Sequence, residues 1–384
     1  MILGAAAWLA LAVWLYLFLA RGGFWRSRPE LAPAVPDTAP DVDIVVPARD
    51  EAATIRPVID SLLAQDYAGR FRVILVDDNS GDRTASLARG AAGIASGPDA
   101  RDAAGSAGGL AVISLDSKPA GWSGKLWAVA QGVAAGRAPL LLLTDADIVH
   151  DRRHLAALVA RQSRFQLDLV SEMVHLNCAS LAERALVPAF VYFFQMLYPF
   201  AKVNDPRSKV AAAAGGTMLV RREALERIGG IESIRGALID DVTLAASIKR
   251  HGPVFLGHSA LAASIRPYPG FADIWRMIAR TAFTQLRYSA ALLALTVAGM
   301  ALVWLVPVAS TLFAHGPARI AGLVAFGVSA GSFLPTLSRY GRSPLWAPAL
   351  PLIALFYLAA TLGSALDHWR GKGARWKSRA YRED

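Results

Sequence analysis

Apolar and polar positions divide the chain into three regimes. Met1 to Ala20 is uncharged and almost wholly apolar, and Arg21, Arg26 and Arg28 follow it. That length matches a bilayer span, whereas a cleaved signal peptide has a charged start and a shorter apolar core. Residues 1–20 are therefore predicted to form a transmembrane anchor, with the N-terminus outside and the chain beyond it in the cytosol. Residues 21–40 read as a linker, with four prolines between Pro29 and Pro40. At the other end, Ser289–Phe313, Ile320–Leu337 and Leu345–Leu366 are three further candidate spans, and residues 289–366 form a C-terminal membrane region. Just before them, residues 271–288 are predicted to be one amphipathic helix. Phe271, Ile274, Ile278, Ala282 and Leu286 share a face, with Arg276, Arg280 and Arg287 elsewhere, a pattern suited to a membrane interface.

Residues 41–270 follow a different rhythm. Val42–Val46, Arg72–Val76, Ala111–Leu115 and the leucine run from Leu140 are short apolar stretches of the kind found in buried strands. Helical patterns over Thr54–Gln65, Arg83–Gly90 and Lys125–Ala135 alternate with them, and Ala91–Gly109 reads as a glycine-rich loop. Further on, Arg153–Gln162 is predicted helical and Asp168–Met173 extended. Ala211–Arg222 reads as a glycine-containing strand entering a short helix, and Asp240 and Asp241 head a helix to Lys249. Leu186–Ala201 is apolar and aromatic but interrupted by Pro188 and Pro199, so it is expected to be buried or to lie at the membrane surface. Alternating strands and helices predict an α/β fold with a mostly parallel sheet.

Composition sharpens this picture. Hydrophobic residues make up 54% of 384, with 10 Trp, more apolar than a simple soluble enzyme requires. The net charge of +10 comes with arginines beside the apolar runs rather than in a basic block interleaved with aromatics. This fits anionic lipid headgroups and excludes a nucleic-acid partner. A lone cysteine, Cys178, excludes an internal disulfide and a cysteine-based zinc cluster. The tail 367–384 is basic, through Arg370, Lys372, Arg375, Lys377, Arg379 and Arg382. Three spans after a cytosolic domain put that tail outside, while its charge favours the cytosol. Either one late segment is re-entrant, Ile320–Leu337 first among them, or the charge rule is overridden; a cytosolic tail is the expectation.

Candidate chemistry lies in three acidic clusters at apparent strand or helix ends: Asp77/Asp78, Asp145/Asp147 and Asp240/Asp241. Two carboxylates one residue apart at the end of a buried strand can hold a divalent cation and, through it, a phosphorylated ligand. No GxGxxG opens the first helix; Pro47–Glu51 stands there, which argues against a dinucleotide-binding dehydrogenase.

The ordered motifs IVVPARDE (Ile44–Glu51), VDDNSGDRT (Val76–Thr84), TDAD (Thr144–Asp147) and GGTMLVRREAL (Gly215–Leu225) resemble those of family 2 glycosyltransferases of the GT-A fold. The resemblance covers about Asp41 to Tyr288. With GWSGKLWAVAQG (Gly121–Gly132) and TQLRYS (Thr284–Ser289) it extends to the membrane-bound, lipid-glycosylating branch, and most closely to hopene-associated glycosyltransferases. It implies that Pro47, Ala48, Arg49, Glu51, Asp78, Lys125 and Asp145 contact a nucleotide-sugar donor, UDP-linked. It further implies that Asp145 and Asp147 hold Mg²⁺ or Mn²⁺, and that Asp241, beside Asp240, removes the acceptor proton. Gly216, Gln285, Arg287 and Tyr288 match positions near the acceptor or the diphosphate. Thr284–Tyr288 departs at both ends from the QxxRW of processive relatives, which argues against polymer synthesis. His258 as a third metal contact competes with a satisfied loop histidine. The expected activity is inverting transfer to a membrane-lipid hydroxyl, a hopanoid by resemblance, at the bacterial cytoplasmic membrane. A polysaccharide synthase, a polyprenyl-phosphate glycosyltransferase and an inactive lipid-binding scaffold stay open as alternatives.

Overall fold

The computed structural model describes residues 2–93, 109–371 and the backbone of 375–376 and 379–380. The predicted Ala91–Gly109 loop and the basic tail beyond Gly371 lie largely outside the described side chains. The chain divides into an α/β unit, chiefly Pro29–Asn177 and Val203–Arg266, and a helical unit built from the segment up to Arg28, Cys178–Lys202 and the chain from Pro267.

In the α/β unit, nine strands form one sheet: β1 Glu30–Leu31, β2 Val42–Ala48, β3 Phe71–Asp77, β4 Gly109–Ser114, β5 Leu140–Thr144, β6 Ile148–His150, β7 Leu169–His175, β8 Thr217–Arg221 and β9 Val254–Ser264. Their order is β1-β9-β7-β8-β5-β2-β3-β4, with β6 beside β9. Every residue of β2 and β5 is buried, as their unbroken apolar runs require. The sheet is mixed: five of its eight pairings are parallel, in line with the mostly parallel expectation, and three are antiparallel. β2–β3, β3–β4, β2–β5, β7–β9 and β1–β9 run parallel, but β8 is antiparallel to both β5 and β7, and β6 to β9. A strand buried on both faces carries no alternation, so its direction leaves no trace in the residue pattern.

The chain steps outward from β2 to β3 to β4 and then returns to the other side of β2 as β5. Loops leaving the carboxyl ends of β2 and β5 therefore diverge, and an open crevice forms at that reversal. Helix Gly124–Ala135, capped by Ser123 Oγ accepting from Leu126 N, packs against β2 and β3 and brings its first turn to this edge.

Among the described residues, five helices are long and apolar enough to cross a membrane: Ile2–Leu19, Leu181–Val203, Ala290–Phe313, Gly316–Arg339 and Pro344–Trp369. Ile2, Trp8, Leu9, Tyr16 and Leu19 expose large apolar side chains on the first of them. Ala290–Phe313 contains a π-helical segment at Ala301–Leu305, just before Pro307. Pro307 has no N–H for the carbonyl of Val303, and Trp14 Nε1 donates to that carbonyl instead, at 2.8 Å. Gly316–Arg339 is a single 24-residue helix, so the expected re-entrant break within it is absent.

The amphipathic helix expected over 271–288 is not continuous. Helix Phe271–Ala279 ends, a short turn Ala282–Gln285 follows, and Arg287 and Tyr288 both adopt positive φ (53° and 57°). The reason is Ser364. Its Oγ donates to Ala279 O and accepts from Phe283 N at 3.1 Å, taking the place of the helical bond between those two groups.

Gly132 faces the sheet from helix Gly124–Ala135; a Cβ there would stand 2.4 Å from Val45 Cγ1 and 3.1 Å from Val76 Cγ2. Alanine gains about 1 kcal/mol of helix propensity, but overpacking against fixed central strands costs about 1–3 kcal/mol. Gly132→Ala is expected to lower the unfolding temperature. An unchanged temperature would show that Val45 gives way.

Candidate active site

The loops after β2 and β3 are laced together. Asp50 N donates to Ser80 Oγ (3.0 Å), Glu51 N to Thr84 Oγ1 (2.8 Å), and Gly81 N to Asp50 Oδ1 (2.8 Å). Asp50 and Asn79 each take a left-handed turn, with φ 52°. Asp78 is fully buried, its N–H bonded to Ala48 O, and Arg49 Nη1 lies 3.4 Å from its Oδ2. Asp77 points elsewhere: Ser80 Oγ donates to it, and burial pushes its carboxyl upward despite that bond. Asp77 is thus a strand-end brace, while Arg49 and Asp78 pair with each other beside the Glu51 turn.

Across the crevice, Lys125 joins two of the acidic clusters. Its Nζ lies 3.0 Å from Asp145 Oδ1 and 3.1 Å from Asp240 Oδ2. Burial alone lowers the ammonium, but Asp145, Asp240 and Asp241 outweigh it and hold Lys125 well above the ordinary lysine value. A solvated helix-start lysine is not what the geometry gives. Burial raises the Asp145 carboxyl; Lys125 opposes the rise and the neighbouring carboxylates Asp147 and Asp240 add to it, leaving it elevated. Pro47, Lys125, Thr144, Asp145, Gly215 and Asp240 line one cavity.

Asp241 begins helix Asp240–Lys249 as expected. Its Oδ1 accepts from Val242 N and its Oδ2 from Gly215 N, each at 2.8 Å. Burial first, and the Asp240 charge second, raise its carboxyl to about 7 against the pull of Lys125 and these two bonds. A group poised there can take a proton near neutral pH. Gly215 makes room for it: a Cβ would meet Asp241 Oδ2 at 3.2 Å. Gly216 works through its carbonyl, which accepts from Asp145 N (3.2 Å) and Thr144 Oγ1 (2.9 Å) and ties β8 to the acidic turn.

Asp147 faces a partner that the sequence reading missed. Arg266 Nε lies 2.8 Å from Asp147 Oδ2, and its Nη2 lies 2.6 Å from Glu51 Oε1. Ser264 Oγ donates to the same Asp147 oxygen. Arg266 follows directly on β9, itself absent from the predicted strands because Gly257, His258 and Ser259 interrupt its apolar run. His258 lies buried within β9, its N–H on Pro29 O, rather than in a loop. Among the described residues, no three His, Cys, Asp or Glu side chains group closely enough to enclose a metal. Yet the donor set suits one. Glu51, Asp78, Asp145, Asp147, Asp240 and Asp241 outnumber Arg49, Lys125 and Arg266 at this edge before any diphosphate arrives. Mg²⁺ takes one or two protein carboxylates and completes its shell with phosphate oxygens and water.

Behind β5 runs a second unpredicted feature. Thr144 Oγ1 meets His150 Nε2 (3.2 Å), His150 Nδ1 meets His154 Nδ1 (2.8 Å), and His154 Nε2 meets Glu172 Oε2 (3.0 Å), all in the interior. Gln285, Arg287 and Tyr288 belong to the helical unit. There Gln285 Nε2 donates to Tyr198 Oη, and the Tyr288 ring stacks on His368 at 4.4 Å.

These features define an α/β domain with acidic groups gathered at a strand-order reversal. The sequence model described as "Glycosyl transferase family 2" matches residues 43–229. That stretch, about half of the chain, resembles a family 2 glycosyltransferase domain in motif and in its mixed α/β sheet. The chain resembles, over 98% of its length and 100% of the other, the structure of mannosyltransferase PcManGT from Pyrobaculum calidifontis in complex with GDP-Man and Mn²⁺ (TM-score 0.60, 19% identity). It is 41% identical over 65 residues to an N-acetylglucosaminyltransferase of Rhizobium sp. (strain N33), 15% of this chain and 14% of that protein. It is 27% identical over 133 residues to a 4,4'-diaponeurosporenoate glycosyltransferase of Staphylococcus haemolyticus (strain JCSC1435), 34% of this chain and 30% of that protein. The matched stretches therefore span less than a third of these curated relatives.

Folding raises the Asp241 pKa from 3.8 to about 7, so the folded state binds that proton more tightly than the unfolded chain. Stability from this group is complete below the unfolded value and is lost as pH rises through the folded one. Asp241→Asn, which cannot ionise, should therefore raise the unfolding temperature progressively from about pH 4 to pH 7 and uniformly above. A gain independent of pH would remove burial of its charge as the cause.

Proposed function

We propose that the chain is an inverting, membrane-anchored glycosyltransferase that moves a sugar from a UDP-linked donor to the hydroxyl of a membrane lipid. The observation that carries the reading is Lys125 bridging Asp145 and Asp240 beside Asp241, at the β2–β5 reversal. Family resemblance assigns donor, cation and base to those same three places. The exposed apolar helices support membrane anchorage with the α/β unit cytosolic, and an acceptor drawn from the bilayer follows. Hopanoid is the acceptor implied by the motifs at Gly121–Gly132 and Thr284–Ser289.

In this mechanism Arg49, Glu51 and Asp78 hold the nucleoside end. Lys125 keeps Asp145 and Asp240 in place and offers positive charge to the donor. Asp145 and Asp147 would hold Mg²⁺ or Mn²⁺, which supplies charge neutralisation to the departing diphosphate. Asp241 takes the proton from the acceptor hydroxyl, whose oxygen displaces the nucleotide in one inverting step. No covalent enzyme intermediate forms, and no serine or cysteine nucleophile is needed.

Asp241→Asn should retain donor binding and lose transfer by about 10²–10⁴-fold, the range of a general base. Transfer near the wild-type rate removes Asp241 from that role. Asp147→Ala should abolish the cation dependence of UDP binding in a folded protein. Lipid mass spectrometry of membranes with and without the gene should reveal a glycosylated lipid only in the former. A soluble or polymeric product overturns the acceptor assignment.

A further inference from the structure

Arg266 occupies a place that the general reading of the site does not account for. It closes β9 and reaches two carboxylates that arrive from opposite sides of the crevice: Glu51, beyond β2, and Asp147, beyond β5. Both acids are nearly inaccessible to solvent, at 7% and 8% exposure. A buried carboxylate without a counter-charge is costly, so some cation must neutralise Asp147 whenever the site is empty of ligands. The contacts are short, and Ser264 Oγ holds the same Asp147 oxygen from the neighbouring position on β9. Of the other cations at this edge, Lys125 is engaged by Asp145 and Asp240, and Arg49 lies against Asp78. Arg266 is thus the group that satisfies Asp147.

We propose that Arg266 is a resident counter-cation that competes with the divalent metal for Asp147 and yields only when a diphosphate arrives to receive its charge. The inference rests on the nucleotide-sugar reading and adds a binding order to it. A metal ion alone would have to expel a half-buried guanidinium from Asp147 and leave it facing only Glu51. A diphosphate gives the guanidinium a planar, two-pronged anion to turn to, while its oxygens complete the shell of the incoming metal. Metal and nucleotide therefore bind as a couple, and either alone binds weakly. The linkage is reciprocal: whatever factor the nucleotide contributes to metal affinity, the metal returns to nucleotide affinity. Arg266 is a positioning residue in this scheme and touches no reacting bond.

The test is Mn²⁺ binding by the full-length, detergent-solubilised protein, followed by electron paramagnetic resonance with and without UDP. Wild type should bind Mn²⁺ weakly alone and roughly tenfold or more tightly with saturating UDP, given the strength of a charge-assisted bond that must be exchanged. Arg266→Met should bind Mn²⁺ more tightly than wild type in the absence of nucleotide, with the enhancement by UDP reduced or lost. Arg266→Lys, which keeps the charge but not the fork spanning Asp147 and Glu51, should fall between them and serves if the methionine variant does not fold. If wild type shows UDP-enhanced Mn²⁺ binding but both variants match it with and without UDP, Arg266 is not the competitor and the proposal falls alone. If wild type binds no UDP at any Mn²⁺ concentration, the nucleotide-sugar reading falls with it.

Discussion

Acid side chains removed from water need cations, and at the β2–β5 reversal two residues supply most of them. Lys125 spans Asp145 and Asp240; Arg266 spans Asp147 and Glu51. Each bridge joins positions far apart in sequence, so the charge requirement also stitches the domain together. Helix Gly124–Ala135 is held to β5 and to helix Asp240–Lys249, and β9 is held to the loop after β2. Breaking the Arg266 bridge leaves two buried anions facing one another, and breaking the Lys125 bridge leaves two half-buried ones. Such sites resist substitution more strongly than their modest net contribution to stability implies. The arrangement is also the one an anionic ligand needs, since the positive partners are already in position.

The same economy of partners governs the helical unit. Where Pro307 removes a donor, the Trp14 indole supplies one from the first helix. Where the chain breaks between Ala279 and Phe283, a single hydroxyl from Ser364 serves both freed groups. In water such gaps would be filled by solvent. In hydrocarbon, where this unit is proposed to reside, each exposed backbone group costs several kcal/mol, and filling it from within the protein is a condition of folding.

Much of the domain could be read from residue order because its strands are short apolar runs that end abruptly in acids. The predicted helix beginning at Asp240 ends at Lys249, and the strands from Val42, Leu140 and Leu169 fall where the pattern places them. Three things were not legible. The direction of β8 leaves no mark on a strand buried on both faces. Helix 271–288 is broken by a serine more than 80 residues away, which no local pattern reveals. Arg266 looked like one arginine among many; only its place after an unrecognised strand brings it to Asp147. The signal that could have found it is an unpaired acid: an Asp at a buried strand end implies a cation somewhere, and the sequence alone does not say which.

The interior chain from Thr144 to Glu172 has its hydrogen-bond directions set from one end. Thr144 gives its hydroxyl hydrogen to Gly216 O, so it can only accept from His150 Nε2. His150, which burial and the neighbouring His154 keep neutral, then presents a lone pair at Nδ1, and His154 must donate to it. His154 Nε2 in turn meets Glu172 Oε2 at 3.0 Å. The floor beneath the acidic turn is therefore one closed run of hydrogen bonds, begun at Gly216 O and ended on β7. A ligand that shifts the turn at Thr144 has to bend that whole run.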